Sequence, residues 1–200
     1  PMHPEESVRY VTRIENGRKR IFCKYNEKGT ICDFCAAEPE DKHVIIQTDR
    51  LDIYEADKSE VDMIIEIEDH PLNRDYLWVG TPEEHSDEID DPNHLLLLFR
   101  DDKTETDWDP EAEGYPGVSK DIKGYALIRL NFKSNIFEIR RIAITEKGKG
   151  YGREAMDALV RYAFEETDTN RLWLDVYPDN EAGIRLYDSM GMHRDGVLRQ

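Results

Sequence analysis

Three glycines at alternate positions are the feature of this sequence whose spacing most clearly suggests chemistry. Gly148, Gly150 and Gly152 lie within "TEKGKGYGREAMDAL", residues 145–159, between an apolar run and a pattern typical of a helix. A glycine-rich turn that opens a helix can bind phosphate, because its backbone approaches the anion closely and the free N–H groups at the helix start point towards it. The stretch therefore predicts a phosphate-binding turn.

Two common phosphate motifs fit this turn poorly. A P-loop requires G-x-x-x-x-G-K-[ST], and no lysine followed by a hydroxyl residue comes after Gly152. A dinucleotide-binding turn, G-x-G-x-x-G, needs a glycine where Arg153 stands, and it follows a strand that is buried on both faces. The strand before this turn carries two adjacent arginines. Asp175, on the next predicted strand, supplies the acid that a dinucleotide site expects, so that alternative stays open.

The apolar pattern predicts the elements that position the turn. The runs "IKGYALIRLNF" and "NIFEIRRIAI" are predicted to be strands joined as a hairpin by "KS", and the second leads directly into the turn. A helix over residues 152–166 buries a broad apolar stripe. "RLWLDVYP" is predicted to be a strand, and "NEAGIRLYDSM" a helix that ends at Gly191.

The preceding part of the chain adds three more elements. We predict one strand in "VIIQTDRLDIYEA", a short amphipathic helix around Val61, Ile64 and Ile65 that ends before Pro71, and a buried strand in "HLLLLFRD". "TPEEHSDEIDDP" is either a loop or the start of a second acidic helix. The predicted order is β-α-β-β-β-α-β-α, which indicates a mixed α/β domain.

The first 45 residues contain all three cysteines. "RIFCKY" and "TICDF" flank "NEKG" and are predicted to pair as a β-hairpin. Cys23, Cys32 and Cys35 together with His43 could form a Cys3His zinc site, but a single C-x-x-C without a second one equally fits reduced, partly buried side chains. We therefore assign no metal ligand.

The charge distribution restricts the classes of partner. The net charge is −17, and residues 46–110 carry 5 Lys/Arg against 21 Asp/Glu, or −16. Such a block argues against nucleic acid and favours either a cationic partner or simply a solvated acidic face. No apolar run is long enough to span a membrane, and the first residues lack the apolar core of a signal peptide. We expect a cytoplasmic protein without a membrane partner.

The turn and its neighbours resemble the GNAT acyltransferase superfamily, whose pyrophosphate loop follows the pattern Arg/Gln-x-x-Gly-x-Gly/Ala. The matching segment here runs from Lys147 to Gly152, with lysine in place of the more usual Arg or Gln. "TDRLDIYEADKSEVDMI" resembles the opening strand and helix of the family's ribosomal-protein N-acetyltransferase branch. "YPDNEAGIRLYDSMGMHRDGVLR" resembles its last strand–helix–strand segment.

The resemblance covers residues 46–200, which leaves residues 1–45 as an N-terminal extension with its predicted hairpin. It implies the GNAT fold: an α/β domain with a mixed, mostly antiparallel central sheet flanked by helices. It also implies an N-acetyltransferase that binds acetyl-CoA and a primary amine together and transfers the acetyl group by direct attack.

The resemblance assigns cofactor contacts residue by residue. Backbone N–H groups of the turn and the nearby cations would bind the pyrophosphate, and the strand before the turn would pair by its backbone with the pantetheine arm. Asn180 is a further implied contact, although it is equally well placed to cap the helix that follows it. The implied contacts are Ile142, Ala143, Ile144, Lys147, Gly148, Lys149, Gly150, Tyr151, Gly152, Arg153 and Asn180.

Two residues are candidates for acid–base chemistry. Glu138 lies on the strand before the turn, where the family often has its base; the alternative is an exposed glutamate paired with a neighbouring arginine. Tyr187, in "IRLYDSMGM", matches the family tyrosine near the CoA sulfur and could protonate the departing thiolate; the alternative is an aromatic core residue.

The charge of the acceptor amine can be inferred from the acidic residues expected around its site. In the family, the first helices and the loop after them line the acceptor site, and here that region includes Glu66, Glu68 and Asp69. We therefore expect a cationic acceptor, either a small molecule such as a polyamine or aminoglycoside-like compound, or an amine of a basic protein. A homodimer is compatible with this interpretation. The rival hypothesis is a catalytically silent GNAT-fold module that binds CoA or a protein.

Overall fold

The computed structural model describes residues 44–198 in full and the backbone of residues 10–15 and 18–23. Strands β1 (Tyr10–Glu15) and β2 (Arg18–Cys23) pair antiparallel. Strand β2 overlaps the predicted strand "RIFCKY", but its partner precedes it in the chain. The predicted partner "TICDF", with Cys32, Cys35 and His43, lies outside the described residues.

A six-stranded sheet forms the main part of the protein. Its order follows the chain, and every neighbouring pair is antiparallel except the last, which is parallel. The mixed, mostly antiparallel sheet predicted from the resemblance is thus confirmed. The strands are β3 (Val44–Gln47), β4 (Asp52–Glu55), β5 (His94–Arg100), β6 (Ile122–Asn131), β7 (Ile136–Ile144) and β8 (Arg171–Leu174).

In the described part of the chain, four α-helices flank this sheet. They are α1 (Val61–Asp69), preceded by a short 3-10 turn, α2 (Pro82–Asp90), α3 (Tyr151–Glu165) and α4 (Glu181–Ser189). The segment "TPEEHSDEIDDP", for which the sequence allowed either a loop or a helix, forms α2. Thr81 and Glu84 form a reciprocal capping box there, and Pro82 occupies the first helical position, so local chemistry is sufficient to start a helix.

Two predicted strands differ from the structure. The single strand expected in "VIIQTDRLDIYEA" is the hairpin of β3 and β4, because the backbone and hydroxyl of Thr48 both bond to Leu51 and reverse the chain. The closing strand expected after Gly191 is absent from the described residues up to 198. Val197 and Leu198 in that segment are 93% and 74% exposed, so no sheet face buries them.

The run of four leucines in β5 is explained by burial on both faces of the sheet. Leu95 and Leu97 belong to the core shared with α3, whereas Leu96 and Leu98 belong to the core shared with α1. Successive side chains of a strand point to opposite faces, so a strand covered on both sides needs a continuous apolar run rather than an alternating one.

Candidate active site

Strand β7 contains an extra residue at the point where it separates from its neighbour. Leu127 of β6 lies opposite Arg141 and the next residue, Ile128, lies opposite Ile139, so Arg140 is a β-bulge. Ile139 before the bulge and Ile142 after it both pack in the core that contains α3, although residues three positions apart on a regular strand point to opposite faces. A bulge of one residue produces this change of phase and bends the strand.

The other edge of β7 opens beyond the bulge. Strand β8 pairs with β7 only over Ile136–Ile139, so from Arg140 to Ile144 that edge has no strand partner in the described part of the chain. A cleft of about 180 Å³ occupies this opening. Its lining comes from Leu72, Asn73, Tyr76 and Leu77 in the loop after α1, Ile139–Ile142 in β7, Lys147 after β7, Leu174–Val176 at the end of β8, and Asn180, Ala182 and Tyr187 at α4.

The glycine turn, residues 147–152, connects β7 to α3 at one end of this opening. Gly148 and Gly150 have φ values of 77° and 87°, which a side chain would strain. Gly150 is the N-cap of α3, and among the described residues no side chain caps that helix. The first N–H groups of α3 therefore have no acceptor inside the helix, and the helix dipole adds positive potential there. The turn is suited to bind an anion.

A carboxylate in the first turn of α3 would oppose an anion, but it is already engaged. Glu154 accepts hydrogen bonds from the Thr48 hydroxyl at 2.6 Å and from the Arg50 Nε at 2.7 Å. Burial alone would raise the pKa of Glu154, but these bonds outweigh it and the pKa is lowered. Arg50 also donates to the Lys149 carbonyl at 3.1 Å and lies 4.3 Å from the centre of the Tyr151 ring. The β3–β4 loop thus holds the glycine turn in place and neutralises its acid.

The model of the GNAT acetyltransferase family matches residues 62–192, which include the cleft, the glycine turn and α4. The chain belongs to this family.

Curated relatives match over shorter stretches. The uncharacterized N-acetyltransferase YnaD of Bacillus subtilis (strain 168) is 27% identical over 93 residues, or 44% of this chain and 55% of YnaD. The uncharacterized N-acetyltransferase p20 of Bacillus licheniformis is 36% identical over 52 residues, or 26% of this chain and 29% of p20. The chain thus spans about a third to a half of the length of these relatives.

Solved structures share the fold at low identity. A GNAT-family acetyltransferase from Bacillus anthracis has a TM-score of 0.56 at 20% identity, covering 76% of this chain and 84% of that one. A mutant of the SpeG spermidine N-acetyltransferase of Vibrio cholerae has a TM-score of 0.58 at 17% identity, covering 76% and 84%. A putative ribosomal-protein-serine acetyltransferase from the same organism has a TM-score of 0.55 at 19% identity, with 76% and 84% coverage.

The cations predicted around the GNAT turn are not equivalent. The Lys147 ammonium lies in the cleft, 2.7 Å from the amide oxygen of Asn73, and burial of this group lowers its pKa to about 8. Lys149 is exposed beside the turn. Arg153 donates to the hydroxyl of Ser189 and so joins α3 to α4. The phenol of Tyr151 is buried and bonds to Asp101 at 2.9 Å, which leaves only its backbone for the turn.

The three pantetheine contacts implied for β7 all lie on its unpaired half. Ile142 lines the cleft and, like Ile144, packs against the α3 core, whereas Ala143 is buried on the opposite face. Their backbone groups on the β8 side are available to an added strand. This is the arrangement that binding of an extended chain requires.

Helix α4 brings two predicted residues to the cleft. Tyr187 lines it, and burial raises the pKa of its phenol to about 12, so the hydroxyl remains protonated at neutral pH. The side-chain oxygen of Asn180 accepts from the backbone N–H of Gly183 at 3.0 Å, which makes Asn180 the N-cap of α4 as well as a lining residue.

Glu138 occupies a different position. It is buried on β7 before the bulge and is not among the residues that line the cleft. Its carboxylate lies 2.5 Å from Arg129 on the neighbouring strand and 3.9 Å from Arg140. The arginine pairing considered from the sequence is therefore present. A catalytic role of Glu138 would require a connection to the cleft through water.

The carboxylates expected to attract a cationic acceptor are engaged elsewhere. Glu66 accepts from the backbone N–H of Gly117 at 3.0 Å, and Asp69 pairs with Arg74 at 3.1 Å. Glu68 is fully buried beneath the cleft. None of the three lines the cleft.

A buried polar cluster that local sequence patterns do not reveal supports the bulged part of β7. Glu68 accepts from the Tyr125 hydroxyl at 2.5 Å and from Arg141 at 3.3 Å, and it lies 3.0 Å from His85. Glu88 lies 2.9 Å from the other ring nitrogen of His85 and 3.5 Å from Arg141. Burial would lower the pKa of His85, but the two carboxylates raise it to about 9. The imidazole of His85 is therefore protonated at neutral pH.

Two further features concern metals and membranes. Within the described residues, no group of His, Cys, Asp and Glu side chains is arranged to hold a metal ion. The zinc hypothesis rests on residues outside that set. None of the helices in the described part of the chain has the length and apolar character needed to traverse a membrane.

Proposed function

We propose that the protein transfers an acetyl group from acetyl-CoA to a primary amine by direct attack in a ternary complex. The observation that carries the proposal is the unpaired edge of β7, which connects the glycine turn to the cleft containing Tyr187. Membership of the GNAT family supports acetyl transfer in general. Acetyl-CoA as the donor follows from the family.

The donor would extend along that edge. Its pyrophosphate would bind to the N–H groups of the glycine turn, assisted by Lys149. The pantetheine arm would pair with the backbone of Ile142, Ala143 and Ile144 as an added strand. Asn180 would contact the arm through its amide nitrogen, because its oxygen already caps α4.

The chemistry requires three contributions from the chain. An N–H group near Ala143 would stabilise the negative charge that develops on the thioester oxygen. The amine, whose ammonium form has a pKa of about 10.4 in lysine, must lose a proton before its nitrogen attacks the carbonyl carbon. The carbon–sulfur bond then breaks, Tyr187 would donate its proton to the departing thiolate, and the second proton that the nitrogen loses on becoming an amide would return to the phenolate. The raised pKa of Tyr187 keeps its proton available.

Glu138 is the proposed base. Its ion pair with Arg129 fixes the direction of the carboxylate, and a chain of water molecules would carry the proton from the cleft to it. We infer that the acceptor is cationic, because the net charge of −17 attracts cations over long range. Structural neighbours that include spermidine N-acetyltransferases agree with an amine acceptor.

The test is release of free thiol from acetyl-CoA across a panel of amines, together with a thermal shift for donor binding. We expect amine-dependent thiol release and stabilisation of the protein by acetyl-CoA. Stabilisation without turnover on any amine would instead favour the catalytically silent module. Absence of both would reject the proposal.

A further inference from the structure

One carboxylate of the cleft has no partner in the part of the chain that the structure describes. Asp175 follows β8 directly, lines the cleft and is exposed. No hydrogen bond or ion pair joins its side chain to any residue that the structure describes. It is the single acidic residue among the described residues of the lining. A carboxylate without a partner, in a cleft proposed to acetylate amines, is suited to bind an ammonium group.

The cations of the same cleft limit how much positive charge an acceptor can carry. Arg141 is balanced by Glu68 and Glu88, and Arg140 lies near Glu138. Among the residues that the structure describes, Lys147 bonds only to the neutral amide of Asn73. Its ammonium has no carboxylate partner in the described part of the chain and would repel a second ammonium group of an acceptor, because like charges in a partly desolvated cleft repel each other.

Apolar side chains from the loop after α1 complete the lining. Leu72 and Tyr76 are 52% and 39% exposed, and Leu77 lines the cleft beside them. Exposed apolar groups that line a cleft favour an apolar ligand surface.

This loop is held in place before any ligand binds. Asn73 donates to the carbonyl of Ile67 at 2.8 Å, and the ring of His70 stacks on Tyr115 with 3.7 Å between the centroids. At the far end of the loop, the N–H of Gly80 donates to Glu68 at 2.7 Å. A rim that is already ordered loses little conformational entropy when it binds a ligand.

From these observations we propose that Asp175 binds the ammonium group of the acceptor while Leu72, Tyr76 and Leu77 contact an apolar substituent. The acceptor is then a primary amine with a single positive charge and an aromatic or aliphatic group. This narrows the acceptor of the proposed function, on which it rests, from cationic amines in general to apolar monoamines.

The test is calorimetric titration of amines into the full-length protein saturated with CoA, which measures acceptor binding without transfer. The probes are 2-phenylethylamine, ethylamine, spermidine and 2-phenylethanol. We expect 2-phenylethylamine to bind most tightly. Asp175→Asn should weaken its binding by about tenfold or more, since the ammonium would then face a neutral amide oxygen instead of a carboxylate. Asp175→Glu should recover part of that affinity.

Asp179→Asn is the matched control, because Asp179 is an exposed acid four residues further on that does not line the cleft. It should bind 2-phenylethylamine as the wild type does. Equal affinity in Asp175→Asn and the wild type, or tighter binding of spermidine than of 2-phenylethylamine, overturns the proposal. Because the readout is binding, Asp175-dependent binding without any thiol release would support this inference while rejecting the proposed transferase activity.

Discussion

The ammonium of Lys147 in the glycine turn lies 2.7 Å from the side-chain oxygen of Asn73 in the loop after α1. Asn73 is buried and bonded to Ile67, so this contact connects the turn proposed for the donor to the loop proposed for the acceptor. The two residues are 74 positions apart in the chain.

The contact predicts energetic coupling between Lys147 and Asn73. In a double-mutant cycle of Lys147→Met and Asn73→Ala, we expect a coupling of about 0.5 to 2 kcal/mol in the free energy of unfolding, as for other residues in contact. The KM for acetyl-CoA should change little in Lys147→Met, because the ligands proposed for the phosphate are backbone N–H groups of the turn. Strictly additive effects of the two substitutions would show that the contact contributes nothing.

Arg50 is predicted to protect the anion site from Glu154. In Arg50→Met the carboxylate loses its counter-ion beside the start of α3, and the Kd for acetyl-CoA should rise by about tenfold, more at low than at high ionic strength. Adding Glu154→Gln to that variant removes the negative charge and should restore most of the affinity. Calorimetry at two salt concentrations measures both effects. Failure of the double variant to recover would mean that Arg50 acts only by positioning the turn.

Tyr187→Phe should lower kcat by about 10²- to 10⁴-fold, the range for loss of a general acid. The hydroxyl contributes to transfer rather than to donor binding, so the KM for acetyl-CoA should stay within about twofold. Steady-state kinetics at pH 7 tests this. A variant with wild-type kcat would exclude Tyr187 from proton transfer.

Glu138→Gln should reduce turnover most at low pH, where the amine is mainly protonated, and leave acetyl-CoA affinity nearly intact. Arg129→Met is the matched control, because it breaks the same ion pair but keeps the carboxylate. If both variants lose activity equally, the ion pair rather than a base accounts for the loss. Unchanged turnover in Glu138→Gln assigns the base elsewhere.

His85 predicts a loss of stability at alkaline pH. Its pKa is raised to about 9 in the folded protein, against an ordinary value of 6.5, because Glu68 and Glu88 favour its charged form. The charged imidazole therefore contributes fully to the free energy of unfolding below about pH 6.5, and this contribution is lost as pH rises through about 9. Arg141 and Tyr125 face the same cluster, and burial raises the pKa of Tyr125 well above its usual value, so this phenol does not titrate in that window. Urea unfolding from pH 6 to 7.5 measures the decrease below the range in which Lys147, whose pKa is lowered to about 8, contributes with the opposite sign, and NMR titration of the imidazole checks its pKa directly.

Features that depend only on residues close together in the sequence were predictable. The glycine turn, the amphipathic helix after it and the hairpin of β6 and β7 follow from local spacing, and all three are present. Residues joined by tertiary contacts were not predictable. Arg50 reaches Glu154 across 104 positions, and Arg141 reaches Glu68 across 73, distances over which periodicity carries no signal.

One predicted strand was wrong and one feature of β7 was not predicted, for a different reason. The turn at Thr48 depends on side-chain hydrogen bonds that a β-branched, mostly apolar run conceals, so β3 and β4 were predicted as one strand. The bulge at Arg140 depends on how β7 aligns with β6, and an alignment between strands cannot be determined from one strand alone.

The bulge makes the cleft depend on a count of residues as much as on their identity. Deleting Arg140 would put Ile139, Arg141 and the residues after them into one uninterrupted alternation, with Ile142 and Ala143 still on the faces that they occupy now. It would also favour continued pairing with β8, so the opening would close although every side chain assigned to chemistry remained in the chain. Substituting Arg140 by alanine keeps the count, and we expect it to preserve the opening.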